Sequence, residues 1–198
     1  MRTNLTGSFP KRERLAFYCL STVLLITSLN IPIAYAETQS SLDEYQVKAM
    51  FLYNFLRFVE CSAWEETDTT KPIIIGILGD NPFGDSLTLI ADKEVEGRML
   101  VIKHIDTIEE IAHKDELKKF QVLFICSSEG KNLKKIFEHI QNHSILTVSD
   151  TQDFVENGGM INFVADRNRI RFEINETLAK EQNFHINSKL LKLAKKVI

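Results

Sequence analysis

Between Ile73 and Val148 the sequence alternates four short, β-branched apolar runs with segments of helical spacing, a pattern that leaves few architectures open. The runs are Ile73 to Leu78, Met99 to Ile105, Val122 to Cys126 and Ile145 to Val148. Helices are expected between them, at Gly84 to Asp92, Thr107 to Lys119 and Lys131 to Gln141. Strands this continuously apolar are covered on both faces, so the expected fold class is α/β, with a mostly parallel central sheet flanked by helices and right-handed crossovers.

Ahead of the first run, Ser41 and Glu44 have the spacing of a capping box. Leu42, Tyr45, Ala49, Leu52, Tyr53, Leu56 and Val59 follow at helical intervals, and Phe51, Phe55 and Phe58 widen the apolar face. This helix should be largely buried. After Asp150, Gly158-Gly159 introduces two further strands, Met160 to Val164 and Arg169 to Ile174, joined by the turn Ala165 to Asn168. The expectation there is a C-terminal antiparallel hairpin. Its second strand puts Ile170, Phe172 and Ile174 on one face and Arg169, Arg171, Glu173 and Asn175 toward the other. Helices from Glu176 to Gln182 and from Ser188 to Val197 close the chain.

The N-terminus has the form of a secretory leader. Lys11, Arg12 and Arg14 make a basic region, Leu15 to Leu29 an apolar one, and Ala34-Tyr35-Ala36 a small-x-small cleavage site. Ser21, Thr22, Thr27 and Ser28 interrupt the apolar stretch, which falls short of the roughly 20 residues a membrane span requires. Residues 1-36 are therefore read as a cleavable, Sec-type signal peptide and 37-198 as one exported domain, periplasmic in location. Of the three cysteines, Cys19 leaves with the leader. Cys61 and Cys126 remain in an oxidising compartment, where a disulfide between them and two separately packed thiols are both compatible with the sequence.

Net charge narrows the partners. It is −3 for the whole chain, and the leader removes four basic residues against one acid. A mildly acidic domain without a basic block does not suit nucleic acid, whose binding requires displacement of counterions by positive charge. The Lys131, Lys134 and Lys135 group is a solvated helix face.

Catalytic motifs are sparse. There is no Gly-x-Ser-x-Gly elbow, phosphate-binding loop, dinucleotide fingerprint or Cys-x-x-Cys pair. No cofactor is expected. Among the five histidines only His139 and His143 have helical spacing, and Asn142 and Ser144 end that helix before the pair converges, so no metal site is expected. Leu123, Phe124 and Ile125 precede Cys126 and argue for a packed thiol over a nucleophile. What remains is the rule that α/β proteins present ligands at the carboxyl ends of parallel strands, which puts Asp80, Ser127, Ser149 and Asp150 on one rim.

Several stretches, in order along nearly the whole of 37-198, resemble the YfiR-like family of periplasmic proteins. They include Val47-Lys48-Ala49-Met50-Phe51-Leu52-Tyr53-Asn54-Phe55, Gly76-Ile77-Leu78-Gly79-Asp80-Asn81-Pro82-Phe83-Gly84 and Leu146-Thr147-Val148-Ser149-Asp150. Gly158-Gly159-Met160-Ile161, Arg169-Ile170-Arg171-Phe172-Glu173-Ile174-Asn175 and Ser188-Lys189-Leu190-Leu191 continue the series. Where the family has Trp-Pro after the first helix, this chain has Cys61-Ser62-Ala63-Trp64.

The resemblance implies a periplasmic α/β regulator that holds an inner-membrane diguanylate cyclase inactive and is relieved by an OmpA-like outer-membrane lipoprotein. Cyclic-di-GMP and the biofilm state would be its output. On this reading the protein is not an enzyme, its partner is the periplasmic domain of the cyclase or a related sensor, and a homodimer is a plausible assembly because C2 pairing is the commonest. The alternative is a periplasmic small-molecule receptor with its cleft near Asp80, Ser149 and Asp150. Partner or ligand contacts are expected at Asp150, Arg171, Glu173, Asn175 and Lys189. Against this, Arg171 and Glu173 could simply brace the hairpin while Lys189 caps against the sheet.

Overall fold

A computed structural model describes residues 34–65, 70–167 and 169–198. The chain divides into a first unit, Met1–Gln39, and a second, Ser40–Ile198. The basic and apolar parts of the expected leader lie outside the described residues, and its cleavage site falls within the first helix, α1 (Ala34–Phe58). Among the described residues no helix is long and apolar enough to cross a membrane.

In the second unit an eight-stranded sheet carries the fold. In chain order its strands are β2 (Ile73–Leu78), β3 (Glu94–Val95), β4 (Arg98–Ile105), β5 (Phe120–Ile125), β6 (Leu146–Ser149), β7 (Ile161–Asp166), β8 (Arg169–Ile174) and β10 (Lys196–Val197). Across the sheet they run β10-β8-β7-β6-β5-β2-β4-β3. The pairs from β4 through β7 are parallel, and β7 with β8 is the expected antiparallel hairpin. β1 (Val59–Cys61) and β9 (Phe184–Ile186) form a separate two-stranded antiparallel sheet.

β2 and β5 are buried at every position, as strands covered on both faces must be. On one face Ile75, Ile77, Val122, Phe124, Val148, Ile161, Phe163 and Phe172 share a core with Ala49, Leu52, Phe55 and Leu56 of α1. Phe55 stacks on Phe163 at 5.7 Å between ring centroids and meets Phe172 edge-on at 5.3 Å. On the other face Leu78, Leu123 and Ile125 pack with Leu133, Ile136 and Ile140 of a helix at Leu133–Ile140 and with Phe154. Gly76 allows these layers to close, since a Cβ there would stand 2.8 Å from Ile105 Cδ1 and 2.9 Å from Leu123 Cδ1.

Two side chains replace absent ladder bonds. The register between β2 and β5 slips at Ile74 and Ile75, and Gln121 Oε1 accepts the Ile74 N–H at 2.8 Å. Arg98, buried at the start of β4, donates to the carbonyls of Lys71, Trp64 and Pro72, anchoring the chain that leads into β2.

Three expected helices are shorter than their patterns suggest. Gly84–Leu89 is a 3-10 helix with Gly84 at φ +51°. Thr107 to Lys119 breaks into Ile108–Ile111 and Lys114–Leu117, because among its described side chains Ile108, Ile111 and Leu117 alone join the core cluster and give no continuous stripe to hold a longer helix. The last helix ends at Leu193 (Ser188–Leu193), Ala194 turns extended, and Lys196–Val197 joins the sheet parallel to β8. Backbone demand explains this: Lys195 N–H bonds Phe172 O at 2.7 Å and Ile198 N–H bonds Ile174 O at 2.9 Å, which satisfies an otherwise open sheet edge.

Because Phe55 is fully buried at the centre of the α1-to-sheet contact, Phe55→Ala should cost about 3–5 kcal/mol. Urea denaturation measures it, and a loss below about 1 kcal/mol would mean that α1 does not pack as described.

Candidate functional site

The carboxyl ends of β2, β5 and β6 lie side by side, and the chain leaving each one carries polar groups. After β2, Gly79 takes φ +93°, and a Cβ there would meet Ser128 Oγ at 2.5 Å. The turn thereby lets Asp80 N–H reach Ser128 Oγ at 2.9 Å. After β5, Cys126 N–H bonds Leu78 O at 2.9 Å. After β6, Ser149 Oγ donates to Ile125 O at 2.6 Å and accepts from Thr151 N–H at 3.0 Å. The Ser149 hydroxyl is therefore occupied in closing the strand ends. Asp150 follows it and points to the α1 side of the sheet, where it meets Tyr45 and Lys48.

α1 supplies the other half. Lys48 sits on the same stripe as Tyr45, Ala49 and Leu52 and is only 4 % exposed. Its ammonium contacts Asp150 Oδ2 at 2.8 Å and Glu44 Oε1 at 2.5 Å, and lies 4.2 Å from the centre of the Tyr45 ring. Tyr45 Oη donates to the same Asp150 Oδ2 at 3.0 Å. Phe83, edge-on to both Tyr45 at 5.2 Å and Phe124 at 4.8 Å, packs the assembly from below. Above it opens a cavity of about 340 Å³, lined by Glu44, Tyr45, Lys48, Ser127, Asp150 and, from β7, Phe163, Val164 and Ala165.

The electrostatics follow from burial beside carboxylates. Desolvation, then the Asp150 charge, pushes the Tyr45 phenol well above its ordinary value, so Tyr45 acts as a hydrogen-bond donor and not as a base. Burial, reinforced by Asp150, Asp80 and Glu129, pushes the Cys126 thiol up to about 12. A thiol held protonated at neutral pH is a poor nucleophile. Cys61 and Cys126 are both free and buried.

Of the residues expected at a site, only Asp150 joins this cluster, with Ser127 on its wall. Arg171 Nη2 donates to the carbonyls of Leu193 and Ala194 at 3.2 and 3.4 Å and latches the end of the last helix. Asn175 caps the helix Glu176–Glu181, accepting from Leu178 N–H at 2.9 Å and donating to Val155 O at 3.2 Å. Glu173 lies opposite Asn162 on one side and Lys196 on the other, and Lys189 is an exposed residue in the first turn of the last helix. The hairpin does border the cavity, through β7 in place of the charged face of β8. Glu44, Tyr45 and Lys48 were not anticipated, although a lysine on a core-facing stripe, four residues after a glutamate, is itself a signal of a buried partner.

A larger cavity of about 710 Å³ opens at the amino ends of β5 and β6, where His139 and His143 both line it beside Trp64 and Gln121. The helix ends at Ile140, ahead of His143 as expected, and the His139 ring stays on its own helix, its Nδ1 3.0 Å from Lys135 O. Among the described residues no three ligands gather to hold a metal ion.

Fold and site together define a layered α/β domain with a charge-paired pocket at the carboxyl ends of its parallel strands. The chain belongs to the YfiR/HmsC-like family, whose model matches residues 45–195. No curated protein matches it. Among solved structures it is similar to an ABC domain from Streptococcus pneumonia in complex with L-Trp, at 16 % identity and a TM-score of 0.48, covering 64 % of this chain and 55 % of that one. It is also similar to a conserved domain protein from Vibrio cholerae, at 14 % identity and a TM-score of 0.49, covering 63 % and 54 %. The chain thus spans about half the length of each.

The raised Cys126 pKa predicts two outcomes. In the folded protein Cys126 should resist a thiol reagent at pH 8 and react once urea unfolds the chain; rapid reaction in the folded state would contradict the burial. The unfolded thiol ionises near pH 8.5 and the folded one does not, so folded protein retains the extra proton and stability should fall as pH rises from about 9 toward 11. The urea midpoint of Cys126→Ala should fall less steeply over that range.

Proposed function

We propose that the protein is a periplasmic regulatory binding protein which represses an inner-membrane diguanylate cyclase, or a related sensor, by protein–protein contact and so tunes cyclic-di-GMP signalling. The observation that carries this reading is membership of the YfiR/HmsC-like family across residues 45–195, nearly the whole second unit. Repression would work by differential affinity: the domain binds the inactive state of the sensor more tightly and shifts its population accordingly. An OmpA-like outer-membrane lipoprotein would relieve it by competing for the domain. Export by the leader at residues 1-36 would deliver the domain to that compartment.

The structure supports a contact surface on α1. Val47 and Met50 are 42 % and 37 % exposed on the face away from the core, and Leu89 stands beside them at 42 %. With Phe51 they line a shallow, mainly apolar groove of about 480 Å³. Large apolar side chains gathered in one exposed patch are the usual material of a protein contact. A second reading, a small-molecule receptor, is favoured by the 340 Å³ cavity beside Asp150, which lies at the strand ends where such proteins hold ligands.

The test is retention of the protein by the periplasmic segment of a cyclase encoded beside it, together with cyclic-di-GMP levels in a deletion strain. Binding, and a rise in cyclic-di-GMP on deletion, are expected; the double substitution Val47→Asp, Met50→Asp should weaken binding at least about tenfold. Absence of binding with unchanged cyclic-di-GMP would overturn the proposal.

A further inference from the structure

We infer that the pocket beside Asp150 receives one organic cation, an ammonium or guanidinium group, carried either by a free amine or by a lysine or arginine side chain of a protein partner. The inference goes beyond repression of a cyclase and does not require it. Its basis is an imbalance of charge and of hydrogen bonds at one place.

The charge count is the first part. Glu44 and Asp150 share a single cation, Lys48, which contacts both. Among the described residues no second basic residue lines the cavity. Asp80 and Glu129 add to the same field, since after burial it is they and Asp150 that raise the neighbouring Cys126 thiol. The pocket floor therefore carries more negative than positive charge, and a low-dielectric wall strengthens the attraction for a cation over what open water would allow.

The second part is independent of charge. The Asp150 side chain is 10 % exposed and lines the cavity, and its two oxygens are used unequally. Oδ2 accepts from both Tyr45 Oη and Lys48 Nζ, while Oδ1, buried, has no hydrogen-bond partner. An ionised carboxylate can accept about four hydrogen bonds, and buried oxygens of native proteins are nearly always satisfied. With the carboxylate turned toward the opening, a donor in the cavity would complete it. A planar guanidinium suits this well, because its two parallel N–H groups can address both oxygens of one carboxylate.

The walls disfavour the opposite class. Lys48 is directed at Glu44 and Asp150 and the Tyr45 hydroxyl at Asp150, so an anion entering the cavity would meet two carboxylates with only the Ser127 hydroxyl and the third Lys48 N–H to receive it. Phe163, Val164 and Ala165 offer an apolar side to an alkyl stem. At about 340 Å³ the cavity is at the small end of ligand sites, sized for one side chain or a short amine.

Butylguanidinium and butylammonium are the probes, with butyrate as the control, and thermal unfolding of the purified protein is the readout. A ligand bound only by the folded state raises Tm, by about 4 °C at ten times its Kd for a chain of this size. Both cations should do so saturably and butyrate should not. Glu44→Gln, at a partly exposed position and with Lys48 still paired to Asp150, should weaken the cations about threefold, and Asp150→Asn should abolish their effect. If Asp150→Asn fails to fold, Glu44→Gln decides. No shift with either cation, an equal shift with butyrate, or unaltered affinity in Glu44→Gln would overturn the inference. Competition by butylguanidinium against a bound partner assigns the cation to the partner's side chain, and indifference assigns it to a free amine. Failure of partner binding alone leaves the thermal result standing, so the two readings fail separately.

Discussion

A lysine in the apolar stripe of a core helix is the constraint around which the rest of the site is arranged. α1 must bury Ala49, Leu52 and Phe55 against the sheet, and its geometry carries Lys48 inward with them. A buried ammonium without a partner would cost several kcal/mol. Asp150, delivered by the carboxyl end of β6, and Glu44, one helical turn earlier, make that burial tolerable. The same contact fixes where α1 sits along the strands, and hence where Tyr45 and the cavity wall stand.

From this follow the chemical properties of the strand ends. Burial, reinforced by the carboxylates gathered beside them, holds Tyr45 and Cys126 in their protonated forms, which turns a region rich in titratable groups into one suited to recognition. Two serines of the same loops are committed to closing turns: Ser128 receives Asp80 N–H and Ser149 ties β6 to β5. Among the described residues, the buried side-chain oxygens left without a hydrogen-bond partner are Asp150 Oδ1 and, beside Ser149 on β7, Asn162 Oδ1.

Much of the architecture was legible in the sequence because it rests on local apolar pattern. β2 and β8 occupy the expected residues, and the central strands pair in parallel as the alternating runs imply. What escaped was short or depended on distant partners. β1 and β9 are three residues each, with Val59, Cys61, Phe184 and Ile186 inward and Glu60 and His185 outward, too brief for periodicity to register. β10 exists because β8 has an edge to cover, which no local pattern around Lys196 announces. At the site, Asp150 was legible from the strand-end rule, but its partners lie about a hundred residues earlier on a helix read for its apolar face alone. Arg171 and Asn175, chosen for their charge and polarity on a hairpin, turn out to hold the C-terminal segment in place.

The coupling between Lys48 and Asp150 is the most direct measure of whether this contact organises the domain. A double-mutant cycle of Lys48→Met and Asp150→Asn, read by urea denaturation, isolates it. Each single substitution strands a buried polar partner, so a coupling of about 2 kcal/mol or more is predicted, with the double variant more stable than the sum of the single losses implies. A coupling within about 0.5 kcal/mol of zero would mean that helix and strand end are positioned independently, and the account of the pocket built on them would fail.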